Sequence, residues 1–123
     1  MTLDANIVIA YLDGDQRVIQ TLSSWKERGY FLILSTVAES EVLSFSEWTA
    51  EERRKTELFL EEHFSSVPFD RAVARIAADI RRDTKIKFPD AAIAATALAT
   101  HTSLVTRNIR DFKKIHQLSL IAL

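Results

Sequence analysis

The stretch Phe88-Pro89-Asp90-Ala91-Ala92-Ile93-Ala94-Ala95-Thr96-Ala97-Leu98 decides the fold. Proline fixes φ near the helical value and disfavours helix in the preceding residue, so Phe88 is predicted to be extended, with a helix opening at Pro89 or Asp90. From there to Ala99 the residues are apolar on every helical face, and most of them are alanine. A helix of this kind is buried on all sides and lets neighbouring backbones approach closely. The sequence therefore places the Asp90 carboxylate in the first turn of a buried helix.

Two roles are open to Asp90. An acid in the first helical turn can cap free N–H groups and complement the helix dipole, which stabilises a protein by about 0.5–2 kcal/mol. The same carboxylate can belong to a functional site if the fold brings other carboxylates to it from distant parts of the chain. The second role depends on where the other acids lie relative to the predicted strands and helices.

Composition predicts one globular domain over residues 1–123. A chain of 123 residues that is 47% hydrophobic can bury a sufficient core without covalent cross-links. Because there is no cysteine, neither a disulfide framework nor a thiolate metal site is possible. The start of the chain has no basic region, and the apolar run Ile7–Leu12 is too short to span a bilayer. We therefore expect a cytoplasmic protein with no membrane partner.

Charge is divided unevenly along the chain. Residues 1–70 carry 6 Lys or Arg against 13 Asp or Glu, whereas residues 71–123 carry 10 against 4. The C-terminal half is thus a candidate surface for a polyanion. Arg71, Arg75 and Arg82 lie on a predicted solvated helix face and are interpreted as ordinary surface residues.

Apolar segments of strand length alternate with helical patterns along the whole sequence. Strands are predicted up to Asp4 and at Tyr30–Leu34, Ser66–Phe69, Ser103–Thr106 and Leu118–Leu123, with helices at Ile7–Leu12, from Asp15 to Gly29, from Thr36, from Thr49 to Phe64, from Asp70 to Asp83, from Pro89 to Ala99 and at Asp111–His116. Capping boxes are predicted for Thr36 with Glu39 and for Thr49 with Glu52. Asp70 is predicted to cap the helix that follows it, and Asp13-Gly14-Asp15 is a turn and cap signal. Pro68 predicts that the third strand lies at a sheet edge. The alternation predicts a three-layer α/β/α sandwich with a central, about five-stranded parallel sheet.

Four carboxylates lie where such a sheet places its functional crevice, beyond the carboxyl ends of the strands. Asp4 ends the first strand, Glu41 lies in the helix after the second with no basic residue nearby, and Asp111 follows the strand that ends at Thr106. Asp90 can face the same crevice from its helix. Carboxylates gathered in this way repel one another, and a bound cation relieves the repulsion. Oxygen ligands alone favour Mg²⁺ or Mn²⁺, the cations used in phosphodiester hydrolysis.

At these residues the sequence resembles the PIN-domain ribonucleases, and most closely the VapC-type toxins of toxin–antitoxin pairs. The matching segments are Leu3–Asn6, Ser35–Leu43, Pro89–Ala97 and Thr106–Phe112. The resemblance implies that Asp4, Glu41, Asp90 and Asp111 are the catalytic, metal-binding acids, with Asn6, Thr106 and Asn108 as polar supports. It also implies an RNA substrate, a cognate antitoxin and a homodimer, in which Tyr11, Phe45 and Trp48 are candidate exposed apolar residues. One departure is Ser44, since relatives often have a glycine after the second acid.

Several alternatives stay open at this point. Asp111 can merely cap the helix that follows it, with Asn108 taking its place in the site. Lys85, Lys87, Arg107 and Arg110 flank the predicted site and are predicted phosphate contacts. The chain can also be a PIN-domain nuclease that is not a toxin, a receiver-like domain that accepts a phosphoryl group on Asp4, or a binding module that has lost catalysis.

Overall fold

The computed structural model describes all residues, 1–123, and contains five short strands and seven helices. In chain order they are β1 (Thr2–Leu3), α1 (Ala5–Leu12), α2 (Gln16–Glu27), β2 (Ile33–Ser35), α3 (Thr36–Leu43), α4 (Ala50–His63), β3 (Ser65–Val67), α5 (Arg71–Asp83), α6 (Phe88–Ala99), β4 (Leu104–Thr106), α7 (Ile109–Phe112) and β5 (Leu120–Ala122). Every strand is two or three residues long, so helices dominate the protein.

The five strands form one parallel sheet in the order β3-β2-β1-β4-β5. The predicted three-layer α/β/α sandwich is therefore confirmed, and β3 is an edge strand as Pro68 predicted. The central strand β1 pairs with β2 on one side and with β4 on the other, through Thr2 opposite Ile33 and Thr2 opposite Leu104. Because the chain adds strands first to one side of β1 and then to the other, the strand order reverses between β1 and β4. A crevice at their carboxyl ends is the expected position of a site.

Helix α6 is the buried centre of the helical layers. Ala91–Ala97 are all buried, as predicted, and α6 packs extensively along α5. The prediction that Phe88 is extended is wrong, because the helix begins at Phe88 and Lys87 is the extended N-cap residue, with ψ 153°. A proline disfavours helix in the preceding residue without forbidding it, and the Phe88 ring packs edge-on against Phe69 at 5.4 Å. None of the helices, α6 included, is both long and apolar enough to cross a membrane.

Two helix N-termini test the predicted capping boxes. The box of Thr49 with Glu52 is confirmed, with N–H to oxygen distances of 2.9 and 3.1 Å. The other box is wrong, because the α3 N-cap is Ser35, whose Oγ accepts from the Val37 N–H at 3.1 Å. The Thr36 hydroxyl instead accepts from the Phe69 N–H at 3.2 Å and so ties α3 to the loop after β3. Tertiary contact has displaced a local motif.

Three predicted elements are shorter than expected or shifted. In β2 only Ile33–Ser35 is strand, since the Tyr30 N–H bonds to Trp25 O and completes the turn that ends α2. Gly29 allows that turn with φ +88°, whereas Phe31 is 75% exposed. The predicted helix Asp111–His116 is α7 at Ile109–Phe112, and the last strand is confined to Leu120–Ala122. These short strands are specified mainly by what packs on them.

Candidate active site

Asp4 is the buried carboxylate of the site. It follows β1 and is the N-cap of α1, so its Oδ1 accepts from the Ala5 N–H at 2.8 Å. Its Oδ2 accepts from the Thr106 hydroxyl at 2.7 Å, a contact that exists because β4 lies beside β1. Burial raises the pKa of the Asp4 carboxyl, while these two hydrogen bonds act in the opposite direction. Each oxygen accepts one hydrogen bond and keeps a second lone pair for a ligand.

Glu41 and Asp90 lie in the same electrostatic environment as Asp4. Glu41 is near the end of α3, and burial followed by the charges of Asp4 and Asp90 raises its pKa. Asp90 is the third residue of α6, and burial followed by the charges of Asp4 and Asp111 raises its pKa, whereas Lys87 opposes the change. None of the three salt bridges of the structure involves Asp4, Glu41, Asp90 or Asp111. The four carboxylates therefore have no cationic side chain paired to them.

Asp111 is joined to Asp4 by a short series of hydrogen bonds. The Asn108 side-chain amide donates to Asp111 Oδ2 at 3.0 Å, and the Asn108 N–H donates to Thr106 Oγ1 at 2.9 Å. Thr106 in turn donates to Asp4. The predicted helix start at residue 111 is wrong, because α7 begins at Ile109 and Asp111 is an acid in its first turn. In this arrangement the Asn108 side chain is a hydrogen-bond partner of Asp111.

The remaining predicted site residues lie at the rim. The Asn6 Oδ1 accepts from the Arg107 N–H at 3.4 Å, and the Arg107 guanidinium donates to Asp15 Oδ2 at 2.6 Å. Lys85, Lys87 and Arg110 are exposed. Sequence reasoning identified Asp15 only as part of a turn and cap signal, and no local pattern indicates its contact with Arg107.

The donor set fits a hard divalent cation. As the side chains stand, no three of the acids or histidines converge closely enough on one point to hold a metal ion. The four carboxylates nevertheless lack a cationic partner, and their charges raise the pKa values of Glu41 and Asp90. A divalent cation would reverse that effect, since oxygen ligands are the ones that Mg²⁺ and Mn²⁺ prefer. The chemistry of the residues thus matches the metal that the resemblance implies.

The raised pKa values have a consequence for stability. Free Asp and Glu ionise at about pH 3.9 and 4.3, and above these values the folded protein retains protons at Asp4, Glu41 and Asp90 that the unfolded chain has lost. The free energy of unfolding therefore falls as pH rises. The stabilising contribution is complete below the unfolded pKa values and is lost as pH rises through the folded ones. The pKa values of Asp15 and Glu52 are lowered, so their contribution to stability is lost as pH falls through their folded pKa values.

We expect the melting temperature in chelator to decline from about pH 4.5 upward, and to decline less steeply in Glu41→Gln. The matched control is Glu39→Gln, which makes the same chemical change two residues earlier on α3. Thermal unfolding followed by circular dichroism at several pH values measures both slopes. Equal slopes for the two variants contradict the assignment of Glu41 to the acid cluster.

Comparison with known proteins identifies the family. A family model described as PIN domain matches residues 1–118, so the chain belongs to the PIN domain family, whose members are nucleases. This confirms the resemblance found in the sequence and sets aside the receiver-like alternative. No curated protein matches the chain at a significant level.

Three solved structures illustrate the similarity of the fold. A toxin–antitoxin complex from Klebsiella pneumoniae has 27% identity and a TM-score of 0.82, covering 98% of this chain and 94% of the other. VapBC2 from Rickettsia felis, bound to a DNA fragment from its promoter, has 22% identity and a TM-score of 0.87, with 99% and 97% covered. FitAcB from Neisseria gonorrhoeae has 24% identity and a TM-score of 0.76, with 98% and 95% covered. The chain thus shares the fold of these structures over almost all of its residues.

Proposed function

We propose that the chain is a Mg²⁺- or Mn²⁺-dependent endoribonuclease and the toxin of a VapBC-type toxin–antitoxin pair. The observation that carries the proposal is the group of carboxylates at the switch between β1 and β4, which has no salt-bridge partner and in which burial, followed by the charges of neighbouring acids, raises the pKa values of Glu41 and Asp90. Asp4, Glu41, Asp90 and Asp111 would hold the metal. As the toxin of such a pair, the protein would act on RNA in the cytoplasm.

The bound metal would lower the pKa of a water molecule and stabilise the charge that develops on the phosphodiester oxygens. The protein supplies the positions of the ligands. Thr106 orients the Asp4 carboxylate and also accepts from the Asn108 N–H, so one hydroxyl fixes two parts of the site. Asn108 orients Asp111 through its side-chain amide, and Asn6 supports the adjoining loop. These polar contacts leave the carboxylate lone pairs that face solvent available to a cation.

The RNA backbone would approach from the basic C-terminal part of the chain. Lys85, Lys87 and Arg110 are exposed cations outside the three salt bridges, and Lys87 is the N-cap residue of α6, three residues before Asp90. Contacts of this type neutralise phosphates and fix the register of the strand without selecting a sequence. Arg107, the fourth predicted phosphate contact, has its guanidinium paired with Asp15.

The antitoxin would bind at an acidic cavity beside Glu41. A cavity of about 720 Å³ lies there between α1, α3 and α4, and its lining includes Glu41, Glu47, Glu52, Phe45 and Trp48. The Trp48 indole N–H is buried and has no hydrogen-bond partner within the chain. A partner segment with apolar and basic side chains would match this lining. The similarity to the Klebsiella pneumoniae toxin–antitoxin complex supports an antitoxin partner.

The homodimer stays a prediction of the resemblance. Of the three candidate apolar residues only Phe45 is well exposed, at 56%, whereas Tyr11 and Trp48 are half-buried. Tyr11 packs on Phe59 with ring centroids 5.2 Å apart. Tyr11 therefore belongs largely to the interior packing of this chain.

Incubation of the purified protein with single-stranded RNA tests the proposal. Cleavage is expected with Mg²⁺ or Mn²⁺ and should stop when a chelator is added. Cleavage that resists the chelator overturns the metal mechanism, and absence of cleavage under all conditions identifies a binding module. Growth arrest on induction in a bacterial host, lost in Asp4→Asn, supports the toxin role. Cleavage in vitro without growth arrest indicates a PIN-domain nuclease that is not a toxin.

A further inference from the structure

One ion pair connects distant parts of the fold beside the site. The Arg107 guanidinium donates to Asp15 Oδ2 at 2.6 Å, across 92 positions of sequence, and the two side chains are only 43% and 33% exposed. The other two salt bridges are pairs three or four residues apart, with side chains at least 73% exposed. Exposed pairs of that kind contribute little to stability. The Arg107–Asp15 pair is therefore the salt bridge of this protein that can influence its tertiary structure.

Asp15 uses its two oxygens for separate purposes. Oδ1 accepts from the N–H groups of Arg17 and Val18, at 3.1 and 3.2 Å, and caps α2. The Asp15 N–H donates to Ala10 O at 3.0 Å, which fixes the residue to the end of α1. The N-cap of helix α1 is Asp4, the buried carboxylate of the site. Asp15 Oδ2 is thus held in a defined position relative to Asp4 and is free to hold something else.

What it holds is the loop that leads to Asp111. The Arg107 N–H reaches Asn6 only at 3.4 Å, so the backbone contact between this loop and α1 is long. Charge-assisted hydrogen bonds are shorter and about twice as strong as neutral ones. The next residue, Asn108, donates to Asp111. The guanidinium contact with Asp15 is therefore the main attachment of this loop to the α1–α2 corner.

We propose that Asp15 is a positioning residue, which acts through Arg107 to hold Asn108 and Asp111 in place beside Asp4. The inference rests on the proposed nuclease function for its catalytic consequence, and on the contacts alone for its structural one. It assigns Arg107 to the framework of the site, in contrast to its predicted role as a phosphate contact.

The chain offers well-matched variants for a test. Asp15→Asn keeps the α2 cap, since asparagine caps about as well as aspartate, but removes the charge that Arg107 binds. Arg107→Gln removes the other partner. Asp70→Asn is the control, because Asp70 caps α5 through the Val73 N–H at 3.0 Å and has no ion pair.

Two measurements are made on each variant of the full chain. We expect kcat for RNA cleavage to fall roughly tenfold to a hundredfold in Asp15→Asn and in Arg107→Gln, with KM changed less than about twofold. The reason is that misplaced catalytic groups slow the chemical step without preventing substrate binding. The double variant should be no slower than the slower single variant, since both remove the same contact. Amide hydrogen exchange at residues 107–112, measured without metal, should quicken in both variants. Asp70→Asn should match the wild type in every respect.

Other outcomes overturn the inference. If Arg107→Gln raises KM alone and Asp15→Asn lowers KM, Arg107 binds RNA and Asp15 only competes for it. If the effects of the two single variants multiply in the double variant, the residues act independently. If the wild type does not cleave RNA, the proposed function fails, and hydrogen exchange still decides whether Asp15 holds the loop. Unchanged exchange at residues 107–112 in Asp15→Asn shows that it does not.

Discussion

Asp90→Asn is expected to reduce metal-dependent RNA cleavage about a thousandfold while raising the melting temperature of the metal-free protein. A metal supplies several kcal/mol of transition-state stabilisation, and about 4 kcal/mol corresponds to a thousandfold change in rate. The gain in stability is expected because burial, followed by the charges of Asp4 and Asp111, disfavours ionised Asp90. A substitution that lowers activity and raises stability distinguishes a carboxylate of the site from a structural one.

The structure makes Asp90 the best position for this measurement. Asp4→Asn would disturb two hydrogen bonds, from Ala5 and Thr106, so its effect on stability mixes lost bonds with relieved repulsion. The Asp90 carboxylate lies at the third position of α6, whose N-cap residue Lys87 makes no side-chain capping bond. Thermal unfolding in chelator and then in Mg²⁺ gives the melting temperature of the metal-free protein and its increase on metal binding. This Mg²⁺-induced increase should be smaller in Asp90→Asn than in wild type. A variant that melts lower in chelator and gains fully from Mg²⁺ would show that Asp90 is only a cap.

Phe112→Ala is expected to lower the free energy of unfolding by about 3–5 kcal/mol, the usual range for removing a buried phenylalanine. The Phe112 side chain is completely buried, although α7 is only four residues long. So short a helix is not stable by itself, and its position depends on what it buries. Urea unfolding measures the change. Phe45→Ala is the control, because Phe45 is 56% exposed and its truncation should change stability by about 0.5 kcal/mol or less.

The same variant should impair the site, because Phe112 is adjacent to Asp111. Phe112→Leu keeps most of the buried volume and is expected to cost roughly 1.5 kcal/mol or less. Its activity should lie between those of wild type and Phe112→Ala when all three are assayed under conditions in which they are folded. A loss below about 1 kcal/mol in Phe112→Ala would mean that α7 is anchored by other contacts.

The resemblance and the residue pattern together predicted much of the fold and which acids to examine. The burial of α6 could be predicted from its own sequence, because seven consecutive apolar or small residues from Ala91 to Ala97 leave no polar face for solvent. The predicted caps at Asp15, Thr49 and Asp70 all exist, since a cap depends on a side chain and a backbone N–H two or three residues away. Predictions of this local kind failed where a distant contact competed, as at Thr36, whose hydroxyl binds the Phe69 N–H.

Local sequence determined the alternation of helices and strands, the helix caps and the buried character of α6, because periodicity and capping act over a few residues. Only the tertiary structure decided that β4 lies beside β1, that Thr106 bonds to Asp4 across 102 positions, and that Arg107 reaches Asp15. The backbone groups that join two strands are the same in every strand, so no short segment specifies its neighbour. The strand order is set by the packing of the whole chain, and with it the side chains that surround Asp4.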